Sequence, residues 1–141
     1  MKIEYFLKNG VLDNRALDGG VYVVDLLKDN SKQVIHLYVG EAGCIVKRCG
    51  THLMEFSKKS EYFGIKEEYK NKKDLTLRFT VHRPLREKDG RVEEEYKKIE
   101  LETIKELKPL TQNPESNSDN MLYIQTKIKI VEKIMIEKGF I

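Results

Sequence analysis

Two runs of β-branched and aromatic residues, 20–27 (Gly-Val-Tyr-Val-Val-Asp-Leu-Leu) and 34–39 (Val-Ile-His-Leu-Tyr-Val), constrain this chain more than any other feature. Such residues fit a pleated, half-buried surface, and the polar cluster Lys28-Asp29-Asn30-Ser31-Lys32 between them is turn material. The pair reads as an antiparallel hairpin. Cross-strand partners in a hairpin have residue numbers with a constant sum, so a turn centred on Asn30 makes Tyr22 and Tyr38 direct partners. Facing tyrosines are either an ordinary sheet-stabilising pair or two phenols presented to a site, and strand composition leaves both readings open.

Gly40 and Gly43 break the second strand, and residues 44–56 carry helical periodicity in Ile45, Cys49, His52, Leu53 and Phe56. Segment 57–74 is dense in lysine and glutamate, with Tyr62, Phe63 and Tyr69 interspersed, and is expected to be helix plus surface loop. Leu75, Leu77, Phe79 and Val81 alternate with polar residues as a half-buried third strand over 75–84. A turn at Asp89-Gly90 leads into an amphipathic helix over 92–107 that must stop near Pro109. After a polar loop, residues 121–141 are expected to form a short strand followed by a helix.

With 141 residues, 40% of them hydrophobic, the chain supports one core rather than two domains. Its net charge of +3 permits nucleic-acid binding without demanding it. No run approaches the roughly 18 apolar residues of a membrane span, and the N-terminal residues lack a signal-peptide core, so a soluble, cytoplasmic protein is expected. Cys44 and Cys49 lie five apart, on different faces of a helix, and read as reduced structural thiols. The histidines 36, 52 and 82 are too scattered to suggest zinc.

Three polar residues fall where apolar ones are expected. Arg48 and His52, four apart, project from the helix face that carries Ile45, Cys49 and Phe56, which is read as the inward face. A desolvated guanidinium needs an anionic or hydrogen-bonding partner, whereas His52 taken alone reads as a satisfied core histidine. In the long helix, at about 100° per residue, Tyr96, Ile99, Thr103, Ile104 and Leu107 cluster with Glu100 among them, and Glu102 lies opposite. A carboxylate on an apolar stripe is neutral, ion-paired or metal-bound; a buried salt bridge to Arg48 is the simplest pairing. Two phenols, an arginine and a glutamate are also what phosphodiester hydrolysis uses. A hard divalent cation prefers carboxylate and water oxygens and polarises the phosphate. Arginine matches the charge of the transition state, and a tyrosine whose pKa is pulled down by cation and arginine can help deprotonate the attacking water.

On these residues the chain resembles the GIY-YIG nuclease superfamily, whose two tripeptides here read Gly20-Val21-Tyr22 and Tyr38-Val39-Gly40. The likeness continues through Arg48 in the first helix, His52 one turn later, and Glu100-Leu101-Glu102-Thr103-Ile104-Lys105 followed by Lys108-Pro109 and Asn113. It spans roughly residues 19–113. The resemblance implies an α/β (α+β) sandwich around a three-stranded antiparallel sheet flanked by helices, with residues 121–141 as a C-terminal strand/helix extension. It implies hydrolysis of DNA with Mg²⁺ or Mn²⁺. Glu100 would hold the metal, Tyr22 would be the candidate general base, Arg48 would stabilise the phosphate, and Tyr38, His52 and Asn113 would support the geometry. One departure follows Gly40, where family members often carry a lysine and this chain has Glu41-Ala42-Gly43; Lys47 or Lys32 are the substitutes at hand. The hairpin is also longer than the commonest version, and Asn113 lies one residue further past the proline.

Two other classes fit the same residues. A catalytically weak nucleic-acid-binding module would use Lys58, Lys59, Lys70, Lys72 and Lys73 with Tyr62 and Tyr69 as a phosphate and stacking surface. A protein-interaction domain would make the tyrosines and Arg48 structural. DNA is the expected partner of the nuclease, with Lys47, Lys58 and Lys59 as substrate contacts and a homodimer or further subunit for recognition, since no zinc finger or helix-turn-helix is evident.

Overall fold

A computed structural model describes residues 1–85, 92–112 and 121–141. The central strand is β4 (Gly19–Lys28), paired antiparallel with β5 (Val34–Ala42) on one side and β6 (Leu75–Leu85) on the other. These are the three strands expected from the sequence. The sheet is nonetheless four-stranded and mixed, because β1 (Lys2–Tyr5) adds to β6 in parallel, giving the order β1-β6-β4-β5. β1 is a short edge strand exposed over most of its length, so it shows none of the alternation by which a strand is recognised. A minimal hairpin of β2 (Leu7–Lys8) and β3 (Val11–Leu12) follows it.

The period of two along β4 feeds two cores. Tyr22, Val24 and Leu26 join Ile35, Leu77 and Phe79 against Ile45, Cys49 and Phe56 of helix α1 (Ile45–Lys58). Val21 and Val23 join Val39 and Leu85 on the other face, under Tyr96 and Ile99 of helix α2 (Val92–Leu107). Each such apolar side chain contributes about 1.5–3 kcal/mol by leaving water, so the two faces fix the register. Segment 57–74 holds two 3-10 turns, Ser60–Phe63 and Glu67–Asn71.

Residues 121–137 form one continuous helix, α3 (Met121–Glu137), where a strand and a helix were expected. Only Val131 and Met135, one turn apart, are fully buried, with Phe140 beyond the helix. Met121, Leu122, Ile130 and Ile136 are apolar but exposed, so the apolar residues surround the helix and suit both periods. No helix among the described residues is long and apolar enough to cross a membrane.

The hairpin register differs from the simple sum. Tyr22 pairs with Gly40 and Tyr38 with Val24: the pairing beside the turn, Leu27 with Val34, already stands one residue off, and a bulge between Val24 and Asp25 adds one more. The displacement is two residues in all, which preserves the face, so the tyrosines become diagonal neighbours with ring centroids 6.2 Å apart. A second slip, between Val21 and Tyr22 against β6, lies on the other side of Tyr22. Bulges of this kind re-aim side chains and often border functional sites.

Gly40 does not end its strand, which continues to Ala42. Glycine is required there because a Cβ would overlap the hydroxyl of Tyr22 on the opposite strand. Gly20 meets a similar limit: at φ +152° its absent side chain would overlap the Arg83 carbonyl of β6.

Candidate active site

α1 sets its inward face with Ile45, Cys49, His52 and Phe56, all buried. His52 is 4% exposed and is satisfied at both nitrogens, by the Tyr22 hydroxyl on Nε2 and the Tyr62 hydroxyl on Nδ1, each at 2.7 Å. Burial and the nearby Arg48 charge lower its pKa to about 4, which keeps the ring neutral. One ring nitrogen therefore donates and the other accepts. Tyr62 was read from the sequence only as part of a surface patch; a tyrosine within a lysine- and glutamate-rich segment carries no signal of a buried partner.

Tyr22 is 1% exposed. Burial pushes its phenol well above the usual range, Tyr38 and Cys49 add to the rise, and Arg48 pulls the other way. The expected lowering is thus reversed, because desolvation outweighs one partly solvated guanidinium. Tyr38 is half-buried, with its ring centroid 5.1 Å from that of His52. Burial raises its phenol, the Glu100 carboxylate raises it further, and Arg48 opposes both. Tyr62 is pushed up to about 12, chiefly by burial.

Arg48 is exposed at the rim of this aromatic cluster, not on the inward face of α1 as expected. Being three residues past Ile45 and one before Cys49, it stands at the edge of the buried stripe. The groups that act on its charge are the phenols of Tyr22, Tyr38 and Tyr62. The simple salt bridge to Glu100 is not formed; the charges acting on Glu100 are Glu41 and Lys97.

Glu100 approaches from the opposite face of the sheet on α2, half-buried among Tyr96, Ile99 and Thr103, while Glu102 is exposed as its register requires. Burial raises the Glu100 carboxyl above its ordinary value and the charge of Glu41 adds to this, against the Glu41 backbone N–H and Lys97. Glu41, on β5, thus brings a second carboxylate to this edge of the sheet. Among the described residues there is no cluster of three or more His, Cys, Asp or Glu side chains.

β5 is an edge strand. The segment after α2 covers part of it: the N–H groups of Leu110 and Thr111 donate to the His36 and Leu37 carbonyls at 3.0 and 2.9 Å. Gln112 Oε1 accepts the Val39 N–H at 2.8 Å. Asn113 lies outside the described residues. Lys47, Lys58 and Lys59 are exposed, and Lys58 stands 3.7 Å from Glu55. The surface patch read from 57–74 differs from expectation: Tyr62 is held by His52, Tyr69 donates to Glu132 at 2.7 Å, and Lys70 donates to the Ser57 carbonyl at 2.7 Å.

In comparisons with family models, with characterised proteins and with solved structures, no match was found.

Proposed function

We propose that this chain is a divalent-metal-dependent endonuclease of the GIY-YIG type that hydrolyses phosphodiester bonds of DNA, its core being β6-β4-β5 sandwiched between α1 and α2. One observation carries the reading. Tyr38 feels both Arg48 and Glu100, which reach it from different helices and do not neutralise each other. Arg48 is open to solvent and Glu100 is half-buried, so neither is spent on the other and both suit a substrate that brings its own negative charge.

The donor set fits a hard cation. Glu100, with its ionisation opposed by burial and by Glu41, is the residue that would hold Mg²⁺ or Mn²⁺, and a carboxylate edge of this kind suits an ion that keeps most of its water. When bound, the ion supplies charge for the phosphate and the leaving oxygen. Arg48, exposed and planar, is suited to grip the phosphate oxygens as negative charge develops.

Burial keeps Tyr22 protonated, so it serves not as a free phenolate but as a relay that passes a proton on while staying neutral. Tyr22 Oη takes a proton from the attacking water and passes its own to His52 Nε2, while His52 Nδ1 releases its proton to Tyr62, which is half-buried and can return one to solvent. Passing the proton through keeps charge from accumulating on a ring whose environment disfavours the imidazolium. Tyr38 stacks against Tyr22 and holds it in place.

The test is conversion of supercoiled plasmid to nicked and linear forms in Mg²⁺, Mn²⁺ or EDTA. Wild-type protein cuts only with metal, and Glu100→Gln slows cutting by about 10³-fold, since several kcal/mol of metal assistance are lost. Loss of activity in Glu102→Gln with Glu100→Gln intact would contradict the assignment.

A further inference from the structure

Beside this site, between residues 110–112 and α3, lies a cavity of about 370 Å³. Its volume falls in the range of roughly 300–1,000 Å³ typical of small-molecule sites. Leu110, Leu122, Ile130 and the ring of Tyr123 supply apolar wall, and Gln112 and Lys127 supply polar groups.

Lys127 is the unusual member. Its ammonium donates to the Tyr62 carbonyl at 2.9 Å and lies 4.7 Å from the Tyr123 ring centroid and 5.6 Å from that of Tyr62. Among the described residues no carboxylate pairs with it, whereas Lys66, which also reaches α3, is held by Glu132 at 2.8 Å. The two rings and the carbonyl stabilise this cation without neutralising it, so it can still take up an anion. An ammonium has three donors, and the Tyr62 carbonyl takes one. Gln112 spends its oxygen on the Val39 N–H, which leaves its NH₂ to donate. The cavity therefore offers donors, one positive charge and apolar wall with an aromatic ring. Inorganic phosphate would leave the wall wet, and a purely apolar ligand would leave Lys127 unpaired.

We propose that this cavity binds one nucleotide unit, with the base against Tyr123, Leu110 and Ile130, its acceptor edge towards Gln112, and a phosphate on Lys127. Its position agrees: Lys127 is fixed to Tyr62, whose hydroxyl holds His52, and Gln112 is fixed to Val39, between Tyr38 and Gly40. A nucleotide here is a neighbour of the bond to be cut. That it belongs to a DNA strand, and is not free, rests on the nuclease reading; the donor set does not.

The experiment uses two fluorescent probes in EDTA at low salt, 2-aminopurine deoxyribonucleoside monophosphate and a single-stranded oligonucleotide containing one 2-aminopurine, with binding followed by anisotropy. Lys127→Gln keeps a donor for the Tyr62 carbonyl and removes the charge; Ile130→Trp fills the cavity from an exposed position. Binding by wild type that weakens about tenfold in Lys127→Gln, the equivalent of one charge-assisted contact, and is lost in Ile130→Trp supports the site. If both probes behave so, it takes free nucleotides; if only the oligonucleotide does, it takes a nucleotide from a strand. Wild-type protein that binds neither probe, or variants that bind as wild type does, would overturn the proposal. Without metal, no cleavage enters the readout, so plasmid cutting can fail or succeed independently of it.

Discussion

Two histidines sit in polar clusters on opposite faces of the same sheet, and the clusters are built differently. His36 donates through Nδ1 to Asp25 at 2.7 Å, and Arg78 holds the other oxygen of that carboxylate at 3.1 Å. Asp25 is 4% exposed, and its charge is met by the side chains around it. His52 lies between two phenols; Arg48 is the cation that acts on it and Lys127 stands beyond Tyr62, and among the described residues neither cation is paired with a carboxylate. The first cluster balances its own charge, although Arg78 Nε stays buried without a hydrogen-bond partner. The second leaves positive charge for something else to neutralise, and that difference, more than the presence of a histidine or an arginine, separates a stabilising network from a candidate site.

The comparison can be broken most sharply at Asp25. Asp25→Ala leaves Arg78 and His36 without their shared anion and is expected to cost about 3 kcal/mol at neutral pH, seen as a lower urea midpoint, while nicking per folded molecule is unchanged. Next in size is the acid response of His52. Its folded pKa of about 4 lies below the ordinary 6.5, so the unfolded chain binds the extra proton first. The associated stability is whole above pH 6.5 and drains away as pH falls towards 4, by about 3 kcal/mol in all. Urea unfolding of wild type and His52→Gln between pH 4 and 7 should show the variant losing about one proton's worth of slope; parallel curves would contradict the neutral, buried assignment. Smallest is Tyr62→Phe, which removes one hydrogen bond and the outer link of the relay. It is expected to cost about 1 kcal/mol of stability and to slow nicking by about tenfold, whereas a purely structural Tyr62 would change stability alone.

Much of this was legible in sequence where one face of an element is buried and the other is not. The helix over 92–107 and the inward register of Glu100 against Glu102 follow from the stripe of Tyr96, Ile99 and Thr103. The tyrosine pair kept its face although its partners were misjudged, because the turn and the bulge at Val24/Asp25 each shift the register by one residue and together preserve parity. No local signal announces such a bulge. Arg48 was placed inside because helical spacing resolves a face only to within a residue or so, and a rim position has the same spacing as an inward one. β1 was missed because an exposed edge strand has no alternation, and α3 was split because its exposed Leu122, Ile130 and Ile136 blur its period. Tyr62, Glu41 and Lys127 became visible as neighbours of the site only through contacts distant in sequence: Tyr62 with His52, Glu41 with Glu100, and Lys127 with the Tyr62 carbonyl.

The most direct measurement sets the two arginines against each other. Arg48→Ala and Arg78→Ala are followed in parallel by thermal unfolding and by Mg²⁺-dependent plasmid nicking at a temperature where both are folded. Arg48→Ala should keep the wild-type Tm to within about 2 °C, as an exposed side chain would, and lose about 10²-fold or more in nicking rate. Arg78→Ala should lower Tm and nick at the wild-type rate. The reverse pattern, with Arg48→Ala unstable but active and Arg78→Ala stable but inactive, would contradict the assignment of the two clusters.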